Sequence, residues 1–194
     1  MNETSFRLLL VENDPALTAL LEQLLPKEFA PRRCEVIVKR YMDEARTVLQ
    51  DGGINNFSGL MIDIMLPRTE KELAQLVTLE TERRELLRQV KRLRSMATSN
   101  AEEQVSRLYQ EIDGKDSAIE EVQDLQGGIT LLNEIIINPF KKITIPTVFS
   151  TARALPDLRK RAQEMVEPGR FAWIQKPAAA GLVVDALSEM SQHD

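Results

Sequence analysis

Asp63 is the residue of this sequence most suited to chemistry, because it is a carboxylate inside an apolar run. The segment Leu60–Met65 has the sequence Leu-Met-Ile-Asp-Ile-Met, which is typical of a strand covered on both faces. A carboxylate buried there costs free energy unless cations or hydrogen-bond donors contact it. Beside a divalent cation and a positive side chain, such an aspartate can act as a nucleophile and become an aspartyl phosphate.

Polar side chains also follow three other predicted strands, at the point where each strand ends. They are Glu12, Asn13 and Asp14 after strand one, Thr151 after strand four, and Lys176 after strand five. Ligands gather at the carboxyl ends of parallel strands, so we expect these side chains to lie around Asp63. The oxygens after strand one suit a hard divalent cation, Lys176 supplies a positive charge, and Thr151 supplies a hydroxyl donor. Together they predict a site that holds Mg²⁺ and stabilises a phosphoryl group.

Each residue also has a simpler interpretation when it is taken alone. Asp63 and Asp14 are of a type that caps helices, and Asp14 precedes a proline, which favours a helix start. Thr151 could be a cap or a core hydroxyl, and Lys176 a surface lysine. The single tryptophan, Trp173, would ordinarily be a packing residue. Their joint placement on four strand ends favours a functional site.

Composition excludes several other classes of site. The 194 residues include one histidine, the penultimate His193, and one cysteine, Cys34, which argues against a Ser-His-Asp triad, a His/Cys zinc site and a disulfide framework. A lone thiol and the lack of a signal peptide predict a cytoplasmic protein. A net charge of −5 without a basic block argues against nucleic-acid binding. No apolar stretch approaches the roughly 18 residues that a membrane span needs.

The first and last thirds of the chain predict an α/β domain. Short apolar runs alternate there with helical patterns, which indicates a βα repeat with a parallel sheet of five strands. The runs are Arg7–Val11, Cys34–Val38, Leu60–Met65, Ile145–Phe149 and Phe171–Ile174.

The middle of the chain, residues 68–126, predicts a coiled-coil insertion. It contains no proline, one glycine and mostly charged or helix-forming side chains. Two tracts, 68–97 and 102–126, carry apolar residues at heptad spacing, and a run rich in turn formers, 97–101, separates them. Without the insertion, 67 residues before it and 68 after it leave 135, a usual size for one domain.

An antiparallel hairpin is the geometry that this insertion favours. Six pairs of apolar residues across the two tracts have residue numbers that sum to 198, which centres the turn on Ser99. The tracts have opposite net charges, +3 from eight basic and five acidic residues and −6 from two basic and eight acidic residues. The one polar layer, Arg83 with Lys115, costs stability unless a carboxylate reaches it. A single long helix is the alternative, and its ends would lie roughly 90 Å apart.

As a set, the motifs resemble the receiver domain of response regulators in two-component signalling. The matching segments are Glu12-Asn13, Asp63–Pro67, Gly127-Gly128, Thr151-Ala152 and Lys176-Pro177. They resemble the family's acidic cluster, its Asp-x-x-Leu-Pro step, the start of its third helix, its Thr-Ala pair and its Lys-Pro pair. The resemblance covers residues 6–67 and 127–190. It implies a flavodoxin-like, doubly wound fold with a five-stranded parallel sheet.

The resemblance also implies a role for each site residue. Asp63 would be the phosphoacceptor, Thr151 the hydroxyl that senses the phosphate, Lys176 its charge partner, and Trp173 the switch aromatic. The Mg²⁺ ligands would be Glu12, Asn13, Asp63 and the backbone carbonyl of Met65. Asn13 departs from the family, which usually has a second carboxylate there, and a neutral amide should weaken Mg²⁺ binding.

These observations predict a signalling module and not an enzyme, phosphorylated on Asp63 by a histidine kinase or a phosphotransfer protein. Residues 1–67 and 127–194 would form the receiver, and 68–126 the insertion. Only one helix is expected after Lys176, so the output would be protein contact. The insertion could form a homodimer, dock a helical partner, act as a lever or be a rigid decoration.

Asn13 favours one alternative, a pseudo-receiver that acts without phosphorylation as a dimerisation or recruitment scaffold. A phosphatase with an aspartate nucleophile is disfavoured. Such sites need a second carboxylate two residues after the nucleophile, and Met65 stands there.

Overall fold

The computed structural model describes residues 5–96, 101–136, 142–153, 155–177 and 180–192. In these ranges five parallel strands form one sheet in the order β2-β1-β3-β4-β5. The strands are β1 (Phe6–Val11), β2 (Cys34–Lys39), β3 (Gly59–Asp63), β4 (Thr147–Thr151) and β5 (Phe171–Gln175). The helices are α1 (Pro15–Glu28), α2 (Met42–Gly52), α3 (Glu70–Met96), α4 (Ala101–Val122), α5 (Gly127–Ile135), α6 (Pro156–Met165) and α7 (Ala180–Ser191). This strand order is flavodoxin-like, so the predicted fold class is confirmed.

All five predicted strands are present; β1, β2 and β5 differ from the predicted bounds by one residue at one end, and β3 and β4 differ by two residues. β3 ends at Asp63, two residues earlier than predicted, where the aspartate carboxylate accepts a hydrogen bond from the Met65 N–H at 3.1 Å. β4 begins at Thr147, two residues later than predicted. The residue before it, Pro146, has no N–H to donate to a neighbouring strand.

Alternating side chains along the strands build one core on each face of the sheet. On β1, Leu8 and Leu10 pack with α1 and α7, whereas Leu9 and Val11 pack with α2, α5 and α6. This period of two is that of an extended strand covered on both sides. The sheet is therefore sandwiched between two helical layers, and its carboxyl edge stays open for a site.

The two long helices, α3 and α4, follow β3 and precede α5 along the chain, and they pack against each other. Their buried residues at heptad positions are Leu76, Val90, Ile112 and Val122. At the polar layer, Arg83 forms an ion pair with Asp116 and Lys115 forms one with Glu82, so each cation meets a carboxylate. The alternative of one continuous helix through 68–126 is wrong, because α3 and α4 lie side by side. Of the predicted turn at 97–101, residues 97–100 lie outside the described residues, and Ala101 is the first residue of α4.

The two ends of this helical segment are joined at its base. Leu66 and Asp124 form an antiparallel bridge, with N–H to O distances of 3.3 and 3.0 Å. Thr69 and Glu72 form a capping box at the start of α3, with both reciprocal hydrogen bonds at 3.2 Å. The base of the helical segment therefore begins at Leu66, shortly after Asp63 in the chain. Within the described ranges, no helix has the length and apolar character that crossing a membrane requires.

Candidate functional site

Three charged side chains meet at the carboxyl edge of the sheet. The Nζ atom of Lys176 donates to Glu12 Oε1 at 2.8 Å and to Asp63 Oδ2 at 2.7 Å. The side chains of both carboxylates are buried, and that of Lys176 is 18% exposed. The structure thus brings together side chains from three of the strand ends singled out in the sequence.

Strand alternation explains why these side chains meet. Each lies two residues after an apolar residue of the core under α1 and α7, and those residues are Leu10, Met61 and Ile174. Because side chains alternate along a strand, the three charged groups emerge on the same face of the sheet. They are neighbours there because the parallel strands that carry them end at one edge.

Further donors hold the two carboxylates in place. Glu12 Oε1 also accepts a hydrogen bond from the backbone N–H of Asp14 at 3.0 Å. The buried hydroxyl of Ser150 donates to Glu12 Oε2 at 3.4 Å. Ser150 was not among the site residues predicted from the sequence; in the structure it pairs in register with Asp63 across β3 and β4.

The cluster contains two carboxylates and one cation, and the pKa values reflect this imbalance. Burial, and then the charge of Asp63, raise the pKa of Glu12 to about 7, against the opposing effect of Lys176. For Lys176, burial acts to lower the pKa, but the charges of Asp63 and Glu12 outweigh it and the pKa is raised. Lys176 therefore stays charged at neutral pH, and ionisation of Glu12 as the pH rises through about 7 gives the cluster a net negative charge that attracts a further cation.

The raised pKa of Glu12 predicts that stability falls with rising pH. A carboxyl whose pKa is higher in the folded state favours folding at low pH, and this contribution is lost as the pH rises from about 4.5 through about 7. We expect Glu12→Gln to flatten the change in free energy of unfolding between pH 5 and pH 8, measured by urea unfolding. The control is Glu35→Gln, at a half-exposed carboxylate of β2. Equal pH profiles for wild type and Glu12→Gln would contradict this prediction.

A cleft of about 270 Å³ opens beside the cluster. The residues that line this cleft near the carboxyl ends of the strands include Asn13, Asp14, Asp63, Met65, Ala152 and Lys176. Its lining from the helical segment includes Glu80 and Arg84 of α3 and Gln123, which follows α4. The helical segment thus forms one wall of the cleft, which sequence analysis did not predict.

Three other predicted residues have contacts of their own. Asp14 caps α1, as predicted, by accepting two hydrogen bonds from backbone N–H groups of its first turn. Thr151 is buried, and its hydroxyl oxygen accepts a hydrogen bond from the Arg153 N–H at 3.2 Å. Trp173 stacks on Phe149 in the core under α2, α5 and α6, with ring centroids 6.3 Å apart. The roles of Thr151 as phosphate sensor and Trp173 as switch stay predictions.

The donor atoms around the cleft fit a small divalent cation. Asn13, Asp63 and Met65 line the cleft and carry oxygen atoms of the hard kind that Mg²⁺ takes, and the buried carboxylate of Glu12 shares the Lys176 ammonium with Asp63. In the described part of the chain, no group of three His, Cys, Asp or Glu side chains is arranged to hold a metal ion. The predicted ligand set of Glu12, Asn13, Asp63 and the Met65 carbonyl stays a prediction.

Comparison with known proteins gives structural neighbours and no sequence relatives. No family model matches the chain, and a search of curated proteins also finds no match. A signal receiver domain of a putative LuxO repressor protein from Vibrio parahaemolyticus is similar over 97% of this chain and 92% of that chain, with 13% identity and a TM-score of 0.47. The Mn²⁺-bound form of the response regulator Rcp1 is similar over 97% and 90%, with 18% identity and a TM-score of 0.46. A DNA-binding response regulator of the LuxR family from Staphylococcus aureus is similar over 96% and 98%, with 11% identity and a TM-score of 0.45.

Proposed function

We propose that this chain is a phosphoacceptor receiver module of a two-component phosphorelay, with Asp63 as the acceptor. The observation that carries the proposal is the position of Lys176, which bridges Glu12 and Asp63 beside an open cleft at the carboxyl edge of a flavodoxin-like sheet. A buried carboxylate fixed by a lysine, and open on one side to a cleft, has the arrangement that a nucleophile in phosphoryl transfer needs.

The chemistry assigned to Asp63 is attack on a phosphorus atom. One carboxylate oxygen forms the new O–P bond while the bond from phosphorus to the donor's imidazole nitrogen breaks. The electron pair stays on that nitrogen, and the product is an aspartyl phosphate. Lys176 stabilises the charge on the transferred group, and the Met65 N–H holds the carboxylate in position. The donor would be a histidine kinase or a phosphotransfer protein.

Mg²⁺ would be held by Glu12, Asn13, Asp63 and the backbone carbonyl of Met65. When bound, it would neutralise negative charge on the carboxylates and on the phosphoryl oxygens. The net negative charge of the Glu12, Asp63 and Lys176 cluster favours its binding, and the neutral amide of Asn13 makes that binding weaker.

Residues 1–67 and 127–194 would form the receiver and 68–126 an antiparallel coiled-coil insertion that transmits the signal by protein contact. The insertion is close to the site, because Leu66 pairs with Asp124 and Arg153 forms an ion pair with Glu120 of α4. These contacts support a coupling of the insertion to the site, and its output would be pairing with a second copy or with a helical partner.

Phosphorylation by a small donor tests the proposal. With acetyl phosphate and Mg²⁺, the intact mass of the full chain should increase by one phosphoryl group, because the donor's acetate can leave without a partner protein. Asp63→Asn should show no increase, whereas Asp51→Asn, at an exposed aspartate of α2, should behave like wild type. An unmodified wild-type chain, or equal modification of Asp63→Asn, would contradict the assignment.

A phosphorylation-independent scaffold is the second candidate, and the neutral Asn13 in the cleft favours it. The two functions differ in their need for metal. If millimolar Mg²⁺ shifts the amide resonances of Met65 and Asp63, and Asp63→Ala abolishes the shifts, the scaffold is disfavoured. If Mg²⁺ causes no shifts and acetyl phosphate adds no mass, the scaffold is the better description.

A further inference from the structure

The wall of the cleft contains a cation that the proposed chemistry does not use. Arg84 and Glu80 lie one turn apart on α3, and both line the cleft that also contains Asp63 and Lys176. Arg84 donates to Glu80 Oε2 at 3.1 Å, and its side chain is 66% exposed. A guanidinium thus stands at the mouth of the cleft, on a segment that is distant from Asp63 in sequence.

We propose that Arg84 binds the phosphoryl group on Asp63 and exchanges its hydrogen bond to Glu80 for hydrogen bonds to phosphoryl oxygens. This inference rests on the proposed phosphorylation of Asp63. It makes the helical segment a part of the phosphorylation site, so that modification is sensed by the segment through a direct contact.

Donor counting supports the proposal. A phosphoryl group brings three strong acceptor oxygens. The Lys176 ammonium has three N–H donors, and Glu12 and Asp63 already occupy two of them. Arg84 has five N–H donors in a planar fork that matches phosphoryl oxygens in pairs. Among the described residues that line the cleft, Arg84 and Lys176 are the cationic ones.

The present partner of Arg84 is easily exchanged. An exposed ion pair between residues four apart on a helix is weak, because water screens both charges. A guanidinium facing a phosphoryl group can form two parallel charge-assisted hydrogen bonds, which are stronger than neutral ones. Phosphorylation would therefore draw Arg84 into the cleft and release Glu80.

The position of α3 is supported at its start and along its length. The capping box of Thr69 and Glu72 defines its start, and its buried Leu76 and Val90, one on each side of Arg84 in the chain, pack it against α4. On the other arm, Glu120 contacts Arg153, which follows the end of β4. Arg84 is thus presented to the cleft by a helix that is packed against α4.

Titration of the full chain with beryllofluoride and Mg²⁺, followed by amide NMR, tests the proposal. Beryllofluoride stands in for the phosphoryl group on Asp63. We expect Arg84→Gln to weaken its half-saturation about tenfold, Arg84→Lys to recover part of this, and the Nε–Hε resonance of Arg84 to shift on binding. The control is Arg88→Gln, one turn further along α3, where Arg88 pairs with Glu85 and does not line the cleft.

The outcomes separate the two proposals. If the wild-type chain does not bind beryllofluoride, the proposed function fails and this inference fails with it. If wild type and Arg84→Gln bind equally well, or if Arg88→Gln weakens binding as much as Arg84→Gln, only this inference is overturned. A tenfold loss confined to Arg84→Gln, with Mg²⁺ affinity not weakened, supports a direct contact, because Arg84 is not a metal ligand.

Discussion

Replacing Lys176 with methionine is expected to lower the free energy of unfolding by about 3 to 5 kcal/mol at pH 8. The substitution keeps an unbranched side chain of similar size but leaves Glu12 and Asp63 buried without their shared cation. At pH 5 we expect a smaller loss, because Glu12, whose pKa burial already raises in the wild type, takes up a proton and becomes neutral. Urea unfolding at the two pH values, followed by circular dichroism, measures the difference.

Two further variants separate charge from packing in this experiment. Lys39 of β2 forms an ion pair with Glu44 at 2.9 Å, but both side chains are more exposed, so Lys39→Met should cost less than about 1 kcal/mol. Adding Glu12→Gln to Lys176→Met should recover part of the lost stability at pH 8, because one buried charge is removed. A loss that is the same at pH 5 and pH 8 would contradict the prediction and point to packing.

The cluster of Glu12, Asp63 and Lys176 beside the cleft was predictable from the sequence, because it follows from the strand order and from where the strands end. Apolar runs locate the strands, and parallel strands end at one edge, so Glu12, Asp63 and Lys176 were expected together. The hydrogen bond from Ser150 to Glu12 depends on the inter-strand register, which periodicity alone does not specify. The end of β3 was misplaced by two residues, since Ile64 and Met65 continue its apolar pattern beyond the strand.

The wall of the cleft was not predictable from the same patterns. Heptad spacing identifies the residues of α3 and α4 that face each other, but it does not say which outer residues face the sheet domain. That orientation depends on contacts between residues far apart in the chain, such as the Leu66–Asp124 bridge and the Arg153–Glu120 ion pair. Arg84 therefore had no distinguishing feature in the sequence, where it is one of many charged helix residues.

Replacing Gly128 with alanine is expected to lower the free energy of unfolding by about 3 kcal/mol and to reduce phosphorylation of Asp63. α5 begins against the strand that carries the acceptor, and the Gly128 N–H donates to the Ile64 carbonyl at 3.2 Å. A Cβ atom at this position would lie 2.3 Å from the Asp63 carbonyl oxygen and 2.8 Å from Ile62 Cγ2. Both contacts are too short, so α5 must shift away from β3 or the backbone of Asp63 must move.

A movement of the Asp63 backbone would affect chemistry as well as stability, because β3 is the central strand and its end positions the Asp63 carboxylate. Urea unfolding and the acetyl phosphate mass assay on the same variant measure the two effects. Gly114→Ala is the matched control: a Cβ there, within α4, meets nothing within 4 Å, so the variant should gain up to about 1 kcal/mol from helix propensity. If Gly128→Ala were as stable and as readily phosphorylated as Gly114→Ala, the close packing of α5 on the acceptor strand would be wrong.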